Sequence, residues 1–388
     1  STLTTYFPGS INQLLSANSL IPTYLGDMTS NIDTNNIINS LINWRFFPDP
    51  NTFGIPDLSA PIPEWPFSFK NKYLEKVVYP LTLQWYFPVA IAMIYFFSVH
   101  SLNKVVLTRQ ITHFKERHPN EKLPSNLKKL KPVPYTIAKW RIFKVLVLIH
   151  NILLCVYSIW TFIGMTTTIH KISNKILPQF LNGVKSNPAS KVELFWQCIC
   201  NNSDADKSFW YNYAQHNLKG LTFYGYLFYL SKYYEILDTV IILLKGRPSS
   251  LLQSYHHSGA ILCMWSGIRF MSSPIWIFVV FNSFIHSLMY GYFSLSCLKI
   301  RVPNWFKQSL TSLQITQFVI GGSLAVVHLF VKYYDYFSGT YNSCVATSEQ
   351  ALAVYMNVFY LAPLTLLFAA FYVESYKKKR SSLSKKNI

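Results

Sequence analysis

Residues 274–297 read PIWIFVVFNSFIHSLMYGYFSLSC. Spanning a bilayer takes about 20 mostly apolar residues in a helix, and this run is long and apolar enough. Its polar members are not scattered. Asn282, His286 and Tyr290 stand at i, i+4 and i+8, a polar stripe down one face of an otherwise apolar helix. Six further windows of similar character lie near 81–102, 142–165, 218–244, 256–272, 313–333 and 351–374. The expected fold is therefore all-α, a polytopic membrane protein with about seven transmembrane helices.

Composition agrees with that reading. The 388 residues are 51% hydrophobic, 17% aromatic and 13% charged, where soluble domains are about a quarter charged. Lys and Arg total 35 against 16 acidic residues, a formal charge of +19. Such an excess can mark a nucleic-acid binder, but here the basic residues sit in blocks between apolar runs, as in cytoplasmic loops of membrane proteins. Six Cys without zinc-type spacing exclude a disulfide scaffold and a zinc ribbon.

Three segments follow. Residues 1–64 form a polar tail with no basic region leading into an apolar stretch, so no cleavable signal peptide is expected. Residues 65–376 form the membrane domain, and 377–388 a basic tail. From Lys104 to Lys144, eleven Lys and Arg face only Glu116 and Glu121, which puts that loop and the C-terminal tail in the cytosol. An odd number of spans then makes the N-terminus lumenal. Asn201-Asn202-Ser203, in the long lumenal loop, is a possible glycosylation acceptor.

Ionisable groups inside spans are costly and mark functional sites by default. Lys232, Glu235 and Asp238 fall within seven residues of the third window, with Lys232, Glu235 and Thr239 along one helical face. Gln253 precedes His256 and His257 by three and four positions and can share a face with either. Imidazole serves as nucleophile, proton carrier or ligand near neutral pH. Thr311, Gln314 and Gln317 repeat every three residues. Amides in spans often only join helices, but four spans with polar stripes point to one interior cavity. A membrane di-iron oxygenase would need about eight clustered His. Of the ten His here only 256 and 257 are close neighbours, and nearby carboxylates are too few to replace the rest. No metal site is expected.

These motifs resemble the ELO family of fatty-acid elongases, the condensing enzymes of the endoplasmic reticulum. The family pattern KxxExxDT is matched by Lys232, Glu235, Asp238 and Thr239. The box HxxHH is matched by Gln253, His256 and His257, with Gln in the first place. NxxxHxxMYxYY is matched by Asn282, His286, Met289, Tyr290 and Tyr292, with Phe293 replacing the last Tyr, and TxxQxxQ by Thr311, Gln314 and Gln317.

The resemblance implies seven helices, six of them wrapping an acyl tunnel, and condensation of a long-chain acyl-CoA with malonyl-CoA. The products would be 3-oxoacyl-CoA, CoA and carbon dioxide. It implies no tightly bound cofactor, separate reductases and a dehydratase as partners, and leaves room for a homo-oligomer. It implies an acyl-imidazole on His256, with His257 and His286 positioning the thioester and managing protons. Asn282 and Tyr290 would donate to the oxyanion. Lys232, Glu235, Asp238, Thr239, Gln253 and Gln314 would shape the site, and Lys245 and Arg247 would attract the anionic CoA. Gln253 leans the substrate toward long or unsaturated chains. Lys385-Lys386-Asn387-Ile388 resembles a dilysine retrieval signal for the endoplasmic reticulum. The family often ties its lumenal loops together, which implies a disulfide from Cys344 to Cys198 or Cys200 in an oxidising compartment.

Two other classes compete. A membrane metal oxygenase would carry iron, and a seven-span receptor or lipid carrier would give no reason for the charged face at 232–239.

Overall fold

The computed structural model describes residues 40–181, 188–201, 208–213, 216–336 and 338–377. Most of the polar tail, Asn202-Ser203 of the sequon and the dilysine motif lie outside the described residues. A helix occupies each of the seven windows: α1 (Tyr86–Arg117), α2 (Arg141–Lys171), a broken pair, then α6 (Leu251–Arg269), α7 (Ile275–Cys297), α8 (Asn304–Val327) and α9 (Ser348–Tyr372). A short helix, α3 (Lys191–Cys200), precedes the broken pair α4 (Leu221–Tyr234) and α5 (Ile236–Leu244). Five of the seven, in the ranges Tyr86–Arg117, Arg141–Leu181, Ile275–Cys297, Asn304–Phe330 and Ser348–Tyr376, are long and apolar enough to cross a membrane by length and composition alone.

The other two are the windows that carry the charges and the histidine pair. The third expected span is not one helix. At Glu235 the backbone leaves the regular ladder: Asp238 N donates to Glu235 O three residues back, at 3.0 Å, and a tight turn separates α4 from α5. The helix starts follow their local chemistry. Ser250 Oγ caps α6 by accepting from Gln253 N, and Ser190 with Glu193 forms a capping box on α3.

Packing closes a ring. Helix α6 lies against α9 and α4, α9 against α8, α8 against α7, and α7 against α4. Helix α1 packs on α6 and α5, and α2 packs along α7.

One end of the ring is capped by a three-stranded antiparallel sheet in the order β1 (Ile42–Trp44), β2 (Val331–Asp335), β3 (Thr340–Ser343). Ile42 pairs with Tyr333, and Tyr333 with Asn342. Residues 40–64 thus belong to the folded unit rather than to a loose tail. Gln197 of α3 donates to Tyr334 O at 2.8 Å, and Glu193 accepts from Ser40 Oγ and Leu41 N, each at 2.9 Å. Cys200 is bonded to Cys344, and Cys198 is a buried free thiol. Both cysteines lie on α3, not in an open loop. Asn201, the last described residue of its segment, is 3% exposed. The principal apolar core fills this disulfide end, from Leu41 through Trp210, Tyr229, Ile261 and Ile277.

Candidate active site

Beyond that core, one helical turn toward the opposite, basic end, the interior turns polar. On α4, Tyr229 is the last core residue and Lys232 follows it, 2% exposed. Lys232 Nζ donates to Glu235 Oε1 at 2.7 Å and to Asn282 Oδ1 on α7 at 3.0 Å, and lies 4.0 Å from the Phe228 ring centroid. Removing two charges from water is expensive unless they are paired and hydrogen-bonded. Here the pairing is close. Glu235 Oε2 has no partner among the described residues, and His286 Nδ1 stands 3.7 Å from Oε1.

Three imidazoles face one another. The His256 ring centroid is 5.3 Å from His257 and 6.4 Å from His286. Tyr360 Oη lies 2.9 Å from the His256 backbone carbonyl and 2.8 Å from His256 Nδ1, so this hydroxyl holds the ring through one nitrogen. His256 Nε2 has no hydrogen-bond partner among the described residues. Gln253 Nε2 lies 2.8 Å from His257 Nε2, so the amide orients the second ring. Among the described residues, no three His, Cys, Asp or Glu side chains are placed to hold a metal ion together.

A second network flanks the first. Asp238 accepts from Tyr290 Oη through Oδ2 and meets His150 Nε2 of α2 through Oδ1, both at 2.7 Å. The Tyr290 hydroxyl is therefore directed at Asp238. Asn282 is differently placed: its oxygen accepts from Lys232, which leaves its amide hydrogens as donors. Thr239 Oγ1 bonds Tyr95 Oη of α1 at 2.7 Å, and Gln314 reaches across to Met289 Sδ at 3.6 Å. These two join helices rather than converge on the imidazoles.

Lys245 and Arg247 stand apart on the surface at the end of α5. Their loop is held rigidly. Gly246 has φ +71°, and a Cβ there would lie 2.1 Å from Val133 O, so only glycine fits. Gly246 O accepts from Gln110 Nε2 at 3.1 Å and from Val133 N at 3.3 Å. Sequence reasoning missed four of these partners. His150 was detectable as an imidazole within an apolar window. Tyr360, Tyr95 and Gln110 carry no local signal, because their roles arise only when helices distant in sequence meet.

The fold and site define a polytopic helical membrane protein with a buried cluster of imidazoles beside an ion pair. The family is equally definite. The model of the ELO: GNS1/SUR4 family matches residues 80–384, and the chain belongs to that family. Fatty acid elongase A of Dictyostelium discoideum is 29% identical over 239 residues, 61% of this chain and 74% of that protein. Long chain fatty acid elongase 1 of Caenorhabditis elegans is 34% identical over 154 residues, 40% of this chain and 51% of that protein. Fatty acid elongase 2 of Trypanosoma brucei brucei is 32% identical over 162 residues, 41% and 58% respectively. The matches to the latter two thus span between half and three fifths of those relatives. No solved structure matches the chain.

Proposed function

We propose that this chain is the condensing enzyme of fatty-acid elongation, joining a long-chain acyl-CoA to malonyl-CoA. The observation that carries the reading is the convergence of His256, His257 and His286 beside the buried Lys232–Glu235 pair, with His256 held at Nδ1 by Tyr360 and its Nε2 unpartnered among the described residues. Nε2 attacks the thioester carbonyl, the C–S bond breaks, and CoA leaves as a thiolate that takes up the proton given up by the other ring nitrogen. The product is a neutral acyl-imidazole on His256, which splits one difficult step into two. Malonyl-CoA then loses carbon dioxide. The resulting enolate attacks the acyl carbon, and Nε2 departs with its electron pair as the ring regains a proton from solvent.

Lys232 and the Asn282 amide supply positive charge and donors for the enolate and oxyanion, without solvent reorganisation. His286 and His257 carry protons. The ring of helices accommodates the acyl chain. The chemistry calls for no tightly bound cofactor, and reduction and dehydration of the product fall to partner enzymes. The basic loops support a cytosolic mouth, and the Cys200–Cys344 disulfide supports a lumenal opposite end, as in the endoplasmic reticulum.

The test is incubation of purified protein with an acyl-CoA panel and labelled malonyl-CoA. The expected result is acyl-dependent release of labelled carbon dioxide and a product two carbons longer, with His256→Ala lowering turnover by at least about a thousandfold. Retention of more than roughly a tenth of turnover in that variant would refute the acyl-imidazole.

A further inference from the structure

The segment linking β1 to the body of the protein exposes apolar side chains that no other described residue covers. Phe46 is 92% exposed, Phe47 74%, Phe53 70% and Ile55 95%. Four large apolar side chains this exposed within ten residues mark contact with another phase or another molecule. Beside Phe46 and Phe47 the charges are paired, while the Asp57 carboxylate beyond Ile55 accepts from Ser59 N and Oγ. Arg45 and Asp49 pair with each other at 2.9 Å, and Ser343 Oγ donates to the same Asp49 oxygen at 2.7 Å.

The position of the patch identifies what it meets. The segment is fastened to the first turn of α9: Glu349 Oε1 accepts from Asp57 N at 2.8 Å, and Ser348 Oγ donates to Ile55 O at 3.4 Å. Phe359 and Leu366, 77% and 72% exposed, are the most exposed of the large apolar side chains on α9, which also turns out Phe371. They lie eleven and eighteen residues beyond Ser348, which is about three and five whole turns. By ideal helix periodicity Ser348 and Phe359 share a face, and Leu366 continues it beyond Pro363. The rise from Ser348 to Leu366 is about 27 Å, close to the thickness of a hydrocarbon core. Ile55 thus lies at the end of α9 from which that outward stripe runs. Phe and aliphatic side chains exposed on such a surface bury in the boundary between headgroups and acyl chains.

We propose that Phe46, Phe47, Phe53 and Ile55 form an interfacial anchor that enters the headgroup region of the leaflet at the disulfide end. It continues the lipid-facing surface of α9 onto the cap. The cap is thereby held to the membrane as well as to the helices.

Nitroxide accessibility in phosphatidylcholine nanodiscs tests this with the full chain. In a Cys297→Ser background, which removes the exposed free thiol, labels are placed through Phe46→Cys or Ile55→Cys. Phe359→Cys serves as the lipid reference and Glu121→Cys, in the basic loop, as the aqueous one. Both test positions are almost fully exposed, so substitution leaves packing intact. The expected result is an oxygen-to-nickel-chelate accessibility ratio several-fold above Glu121 and below Phe359. Nickel access equal to that at Glu121 would overturn the proposal. Protection from both reagents would also overturn it, and would assign the patch to residues 1–39 or to a second copy of the chain.

Discussion

Helix α4 crosses two chemically different regions. At the disulfide end it buries Tyr226 and Tyr229 in an apolar core shared with α6, α7 and α9. One turn later it buries Lys232 and, at its end, Glu235. Helices α6 and α7 change in the same way, from Ile261 to His257 and from Val280 to Asn282 and His286. The disulfide end is built as a folding unit, with apolar packing, strand pairing and a covalent tie. The other region gives up apolar contact for charges that stability alone would not select, since a well-packed apolar pair is often as good or better. Stability should therefore respond to changes in the first region, and chemistry to changes in the second.

The sharpest way to break that division is Lys232→Met. It leaves Glu235, 2% exposed, without its cation, so a loss of about 3–5 kcal/mol is expected together with loss of condensation. The double variant Lys232→Met/Glu235→Leu should regain most of the stability and none of the activity. Thermal unfolding in detergent beside a condensation assay separates the two effects, and an active double variant would contradict the division.

The converse is Cys344→Ser. Opening the Cys200–Cys344 bond should cost about 2–5 kcal/mol while turnover per folded molecule stays near normal. Turnover falling more than tenfold in the folded fraction would mean that the cap participates in the site.

A smaller effect concerns acid. Partial burial alone would raise the Glu193 pKa, but N–H donors from Ser190 and Leu41 and the Ser40 hydroxyl outweigh it and hold it at about 2. A depressed folded pKa means that the stabilisation is complete above the unfolded value of 4.5 and is lost as pH falls through the folded one. Unfolding temperature should accordingly drop between those pH values, and Glu193→Gln should flatten that dependence. An identical pH profile in the variant would remove Glu193 from the account.

The smallest change is expected at the mouth. Neutralising Lys245 and Arg247, both exposed, should raise KM for malonyl-CoA a few-fold at low salt with little change in kcat. The difference should vanish at high salt. An unchanged KM at low salt would restrict these residues to a role in orientation across the membrane.

Much of this was legible from residue spacing. The helix windows, the stripe of Asn282, His286 and Tyr290, and the charged face of Lys232 and Glu235 are periodicities within single helices. The break at Glu235 was not legible, because the 218–244 window is continuously apolar on either side of its charges and the turn depends on backbone bonds that no residue type marks. Nor was the ordering of residues 40–64, whose strand is stabilised by Tyr333, nearly three hundred residues away. The aim of Tyr290 also depended on a distant partner. Its hydroxyl donates to Asp238, where the family resemblance implied a donor to the oxyanion. His256 was identifiable as an imidazole in a polar setting, but its contact with Tyr360, 104 residues away, was not.

The acyl carrier is the most direct point of attack. Enzyme mixed with acyl-CoA alone, quenched in seconds and digested, should yield one peptide heavier by the acyl group, mapped to His256, with free CoA released in equal amount. Tyr360→Phe should slow adduct formation without moving it, and His256→Ala should abolish it. Acyl label on His257 or His286, or no label while condensation with malonyl-CoA proceeds normally, would contradict the account.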